Sequence, residues 1–166
     1  MNQIMIIPIS QDYFDAFHTC LDEVSRERKY LGFVEAPPLE STRKWLKSGV
    51  DQGEIRLIAM NGVQVIGWCD IELNNREGFR HSGKLGIGVL KEFRGTGIGT
   101  KLLTQALSEA QLQNLERIEL EVYESNLVAI KLYERLGFKV EGRKRKARKI
   151  DGHYDDVIMM ALILKA

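Results

Sequence analysis

The segment from Lys84 to Ala110 constrains the fold more than any other part of the chain. Lys84 to Leu90 reads as a strand. Arg94-Gly-Thr-Gly-Ile-Gly99 follows, and Ile98, Leu102, Leu103, Ala106, Leu107 and Ala110 then recur at helical spacing. A strand therefore enters a helix through a glycine-rich turn. The first N–H groups of a helix have no internal partner and carry partial positive charge. Glycines remove the side chains that would keep an anion from those donors. The turn is a candidate cradle for a diphosphate. Arg94 and Lys101 can add charge there, and Thr96 and Thr100 hydroxyls. Gly95, Gly97 and Gly99 spell G-x-G-x-G, which is neither the dinucleotide fingerprint G-x-G-x-x-G nor a P-loop. Alone, such a cluster can also be a flexible turn that opens a helix.

The flanking chain supplies the other elements of one domain over residues 1–166. Ile4 to Ile9 reads as a strand, and Gln11 to Arg28 as a helix carrying Phe14, Phe17, Leu21 and Val24. After Pro37-Pro38, Ser41 and Thr42 can cap a second helix that holds Trp45 and Leu46. Glu54 to Met60 and Gln64 to Leu73 read as strands joined at Asn61-Gly62. Arg76 to His81 is a polar loop. Arg117 to Tyr123 alternates as a strand, with Ile118, Leu120 and Val122 on one face. Asn126 to Leu136 is a short helix ended by Gly137, with Phe138 placed to pack back. Phe138 to Lys149 and His153 to Leu164 form strands about an Asp151-Gly152 turn. The sum is an α+β domain with a largely antiparallel sheet and a strand–helix–strand–helix unit in its middle.

Composition removes several functions. Lys and Arg nearly balance Asp and Glu, leaving +1, which disfavours nucleic-acid and membrane partners. Cys20 and Cys69 are too few for a disulfide framework or a metal site, and fit a reducing compartment. No apolar run approaches the ~20 residues of a membrane helix, and the start lacks a signal-peptide pattern. A cytoplasmic protein is expected.

Arg94, Gly97 and Gly99 fill the fixed positions of R/Q-x-x-G-x-G/A, the acetyl-CoA signature of the GCN5-related N-acetyltransferases (GNAT). Downstream, Val122, Asn126, Ala129, Tyr133 and Gly137-Phe138 match V-x-x-x-N-x-x-A-x-x-x-Y-x-x-x-G-F of that family. The chain thus resembles a GNAT enzyme over about a third of its length, closest in look to bacterial amino-acid and ribosomal-protein acetyltransferases. The resemblance implies a mixed, mostly antiparallel sheet of six to seven strands, about four helices, and a central parallel strand pair that splays apart. It implies acetyl-CoA as co-substrate and no metal. Backbone groups of Ile87, Gly88, Val89 and Leu90 would pair with the pantetheine arm. Arg94, Gly95, Thr96, Gly97, Ile98, Gly99 and Thr100 would hold the pyrophosphate. Asn126 would reach the pantetheine, and Tyr133 would protonate the departing thiolate. A core tyrosine and a helix cap are the plain structural readings of Tyr133 and Asn126.

The base is open. Glu72 lies near the end of its strand, where an amine would approach; Glu121, His81 and a water chain are alternatives. Neither cysteine has an activating neighbour in the sequence. The acceptor is expected to be a primary amine of a small molecule such as an amino acid. The alternatives are a protein amine or a CoA-binding sensor without catalysis. Tyr30, Phe33 and Glu35 could wall the acceptor. The run Arg143 to Lys149 reads as a solvated, aggregation-resistant edge. Tyr154-Asp-Asp156 is similar to the Tyr-x-Asp of amino-acid- and peptide-acetylating relatives. Dimers are common in that family, which is the only ground for expecting a homodimer here.

Overall fold

The computed structural model of the chain describes residues 3–165. Its elements are β1 (Met5–Pro8), α1 (Phe14–Arg26), α2 (Leu39–Asp51), β2 (Ile55–Asn61), β3 (Gln64–Leu73), β4 (Ser82–Val89), α3 (Ile98–Leu112), β5 (Arg117–Tyr123), α4 (Leu127–Arg135), β6 (Lys139–Ile150) and β7 (His153–Ile163). One sheet takes the order β1-β2-β3-β4-β5-β7-β6, antiparallel except between β4 and β5. That parallel pair lasts three residues: Ser82, Gly83 and Lys84 meet Arg117, Ile118 and Glu119. Beyond Lys84 the two strands part. β4 stays paired with β3 as far as Val89, and β5 with β7 as far as Tyr123. A wedge opens in the middle of the sheet.

Helices cover both faces. On one, Phe17 of α1 meets Trp68 of β3 edge-on at 5.6 Å and Trp45 of α2 at 6.1 Å. On the other, α3 buries Ile98, Leu102, Leu103, Ala106 and Ala110, the stripe expected from its period.

Several local details depart from the sequence reading. α2 begins at Leu39, so Ser41 and Thr42 lie inside its first turn and cap nothing; the Pro38 carbonyl accepts from Thr42 N at 3.1 Å. Proline at a helix entry loses no needed donor, which makes it a sufficient start. The β2–β3 turn is Gly62-Val63 rather than Asn61-Gly62, because Asn61 already pairs with Gln64. Of the two turn residues only Gly62 has positive φ, at 61°, as a type II′ turn requires. A bulge between Ala59 and Met60 absorbs the shift. Asp151-Gly152 does form the β6–β7 turn, with φ of 51° and 78°.

Beneath α2 lies a buried guanidinium. Arg56 of β2 stacks under the Trp45 ring at 3.6 Å and donates to Glu54 Oε2 at 2.6 Å. Gly49 of α2 lets it fit: a Cβ there would sit 2.0 Å from Arg56 Nε. With its plane held between a ring and a carboxylate, the guanidinium has little room to retreat. Gly49→Ala should therefore cost about 1–3 kcal/mol of stability by urea unfolding. An unchanged midpoint would mean that α2 shifts freely.

Candidate active site

The glycine turn behaves as its chemistry demands. Gly95 and Gly97 have φ of 72° and 85°, a region costly for other residues. A Cβ on either would meet nothing within 4 Å, so the space above the turn is open. Gly97 is the N-cap of α3, and no side chain caps that helix. The first helical bond runs from Lys101 N to Gly97 O at 3.1 Å. The N–H groups of Ile98, Gly99 and Thr100 are thus free to meet an anion. Gly99 has a different task, since its Cβ would touch Leu132 of α4 at 3.6 Å. It lets α3 and α4 approach.

The side chains around the turn do less than expected. Arg94 points away from it. Its two terminal nitrogens donate to Glu27 at 2.8 and 2.5 Å, its Nε to the Val89 carbonyl at 2.9 Å, and its guanidinium lies 4.6 Å from the Tyr30 ring centroid. Arg94 ties the end of β4 to α1 and the following loop. The Thr96 hydroxyl donates to the Phe93 carbonyl at 2.6 Å, so its proton is committed within the turn. Backbone amides, rather than these two side chains, are what the turn leaves free for an anion.

Strand phase corrects the backbone assignment as well. Leu90 N donates to Ile66 O of β3, while the His81 carbonyl accepts from Glu116 and Arg117 on the β5 side. Because these directions alternate along a strand, Gly88 and Leu90 face β3, and Ile87 and Val89 face the wedge. The Val89 carbonyl is already taken by Arg94. Ile87 and the Val89 N–H remain as the wedge-facing backbone donors and acceptors among the four residues.

α4 sets the last two residues of the motif. Asn126 caps it, its Oδ1 accepting from Ala129 N at 3.3 Å, which leaves its NH2 donors uncommitted. At the other end Phe138 N bonds to Tyr133 O and Gly137 N to Glu134 O, both at 3.0 Å. Gly137 is left-handed at φ 97°. This is a Schellman termination. Its hydrophobic contact is Phe138 on Tyr133, ring centroids 5.8 Å apart. Tyr133 is 6% exposed, and burial holds its phenol well above the usual tyrosine range, with Cys69 of β3 adding to the shift. Cys69 pairs with Ile87, which puts the phenol beneath the wedge.

The candidate bases separate clearly. Glu72 accepts from Trp45 Nε1 at 3.2 Å and pairs with Lys84, the last β4 residue before the strands part. It stands at the closed apex, beside an open cavity of about 640 Å³ that also takes in Asn74, Arg76, Lys84 and Glu119. Glu121 is bridged to Lys144 at 2.5 Å, and that lysine holds its carboxyl below the ordinary range, which weakens it as a base. His81 is exposed on the loop. Burial pushes both thiols up, Cys20 to about 12, so neither is a nucleophile at neutral pH.

The sequence reading passed over Asp70. It is 8% exposed on β3, on the face with Trp68 and Glu72, and it pairs with Gly86. Burial pushes its carboxyl up to about 7, against the opposing pull of Arg56. An acidic residue among apolar strand neighbours was the available signal.

The outer rim is built from charge pairs. Arg28 grips Asp151 at the β6–β7 turn through two bonds of 3.1 and 2.9 Å, and Arg148 donates to the carbonyls of Arg28 and Leu31. The basic run therefore docks the hairpin on the α1–α2 loop, besides forming an edge. Asp156 binds Lys146 N and Arg143, which organises a bulge in β6. Within the α1–α2 loop Tyr30 belongs to Arg94, while Phe33 and Glu35 are exposed.

Residues 12–138 match the model described as the acetyltransferase (GNAT) family. The chain is 29% identical over 128 residues to an L-amino acid N-acetyltransferase of Escherichia coli (strain K12), covering 76% of this chain and 79% of that one. A GNAT-family acetyltransferase from Streptococcus pneumoniae superposes with a TM-score of 0.91 at 25% identity, over 98% of this chain and all of the other. The fold is also that of yncA from Salmonella typhimurium, solved with its cofactor acetyl-CoA. There the TM-score is 0.91 at 19% identity, covering 99% and 96% of the two chains.

Proposed function

The chain belongs to the GNAT acetyltransferase family, and we propose that it moves the acetyl group of acetyl-CoA directly onto the primary amine of an amino acid or closely related metabolite. The observation that carries the proposal is the wedge. Free amides of α3 lie at one end of it, β4 backbone along its side and a buried phenol beneath. The N–H groups of Ile98, Gly99 and Thr100 bind the pyrophosphate, with Gly95 and Gly97 keeping the approach clear. Ile87 and Val89 hold the pantetheine as a neighbouring strand would, and the Asn126 amide adds a donor. Tyr133 keeps its proton at neutral pH and offers it to the sulfur as the C–S bond breaks. The two cysteines, buried and unpaired, suit a reducing cytoplasm.

The amine enters from the face covered by α1 and α2, where Asp70, Glu72, Lys84 and Glu119 mix both signs of charge. Such a surface suits a zwitterion better than an apolar amine. The test is release of free thiol from acetyl-CoA against amino acids, polyamines, aminoglycosides and short peptides. Turnover is expected on amino acids first. Tight acetyl-CoA binding with no turnover on any amine would instead support a sensor, and turnover on peptides alone would support a protein acceptor.

A further inference from the structure

On the face toward α1 and α2, β4 presents Lys84, Gly86 and Gly88 in succession. The two glycines leave that stretch of strand bare. Side chains of β3 fill the room: a Cβ on Gly88 would strike the Trp68 ring at 2.2 Å, and one on Gly86 would lie 3.3 Å from Asp70 Oδ1. Trp68 and Asp70 thus lean across β4 toward the wedge, at the level where β4 has lost its partner β5.

The Asp70 carboxylate accepts no hydrogen bond among the described residues. Arg56 is near, but its Nη1 stands 3.9 Å from Asp70 Oδ2, beyond bonding distance, and its strong bond goes to Glu54. Arg56 Nε and Nη1 are buried without partners. A purely structural ion pair would close that gap, since each unmade bond costs about 1–3 kcal/mol. The carboxylate is instead oriented and left with free lone pairs. Glu72 is tied to Trp45 at the apex, and Glu121 to Lys144.

We infer that Asp70 is the group that takes the proton of the acceptor amine. The inference rests on the acetyl-transfer reading above and replaces Glu72 as the base. The substrate ammonium gives one proton to Asp70. The freed lone pair forms the C–N bond as the C–S bond breaks, and the thiolate takes the Tyr133 proton. The nitrogen's second proton restores the phenol, and Asp70 releases its own to water. One proton is released per turnover. Acid and base then sit on opposite faces of the sheet, Tyr133 with Cys69 and Asp70 with Trp68. The charges acting on Asp70 are Arg56 from β2, Glu54 just before that strand and Glu72 from β3; the neighbouring Gly86 and α2's Trp45 add none.

The test uses the full chain and whichever panel amine the wild type acetylates fastest, from pH 6 to 10. For Asp70→Asn, kcat should fall by about 100-fold or more, acetyl-CoA affinity should stay, and the inflection near pH 7 should vanish. Asp70→Ser should regain rate when formate is added, which a structural role would not produce. An Asn variant within about threefold of wild-type kcat, or a Ser variant deaf to formate, overturns the assignment. A wild type that binds acetyl-CoA yet acetylates no amine overturns the enzyme reading together with it.

Discussion

Gly97→Val is expected to weaken acetyl-CoA binding by about 100-fold or more, equivalent to about 2.7 kcal/mol. A side chain at this N-cap would intrude on the open space by the Ile98, Gly99 and Thr100 amides, where the pyrophosphate is proposed to bind. The φ of 85° adds about 1–2 kcal/mol of strain for a β-branched residue, which falls on stability rather than on binding. Each charge-assisted bond to those amides contributes about 1.5–3 kcal/mol, so displacing the anion from even two accounts for the loss. Calorimetric titration with acetyl-CoA measures it. Because no atom beyond the adjoining residues lies within 4 Å of the added Cβ, the fold should survive, and circular dichroism should be unchanged. Retained affinity in a folded variant would remove the phosphate site from this loop. Gly95→Val should show the same direction, since its geometry is alike.

Tyr133→Phe should lower kcat by about 100-fold, the low end of what a positioned general acid contributes. The ring's packing on Phe138 stays, and so does the Schellman bond from Phe138 N to the Tyr133 carbonyl, which is backbone. Acetyl-CoA affinity and melting temperature should therefore hardly move. Loss of kcat without loss of binding marks an interaction made only as the bonds change. A phenol raised by burial keeps its proton across the working range, so the wild-type profile should show no loss of rate from tyrosine ionisation below pH 10. Equal turnover in the Phe variant would leave the thiolate to be protonated by water.

Much of the frame around the candidate site is legible in the sequence. The helix stripe of α3, the Asp151-Gly152 turn and the Gly137-Phe138 stop follow from local rules, and each appears where its residues predict. Local rules work there because φ and the periodic burial of one face are properties of a few adjacent residues. They misplaced the start of α2, where two hydroxyl residues outweighed Pro38, and the β2–β3 turn, where a bulge moved the pairing by one residue.

Side-chain commitments were not legible. Arg94 reads as a phosphate ligand until Glu27, remote in sequence, claims it, and Glu72 reads as a base until Trp45 ties it down. Asp70 gains meaning only from Gly86 across the strand and Arg56 beside it. By itself the sequence determined the family and marked the candidate cradle and acid, because glycine geometry, an unpaired helix start and a capped tyrosine are local. Tertiary structure alone decided the phase of β4 and the fate of each charge. Hydrogen-bond direction depends on which strand lies alongside, and a carboxylate's proton affinity on what is buried around it.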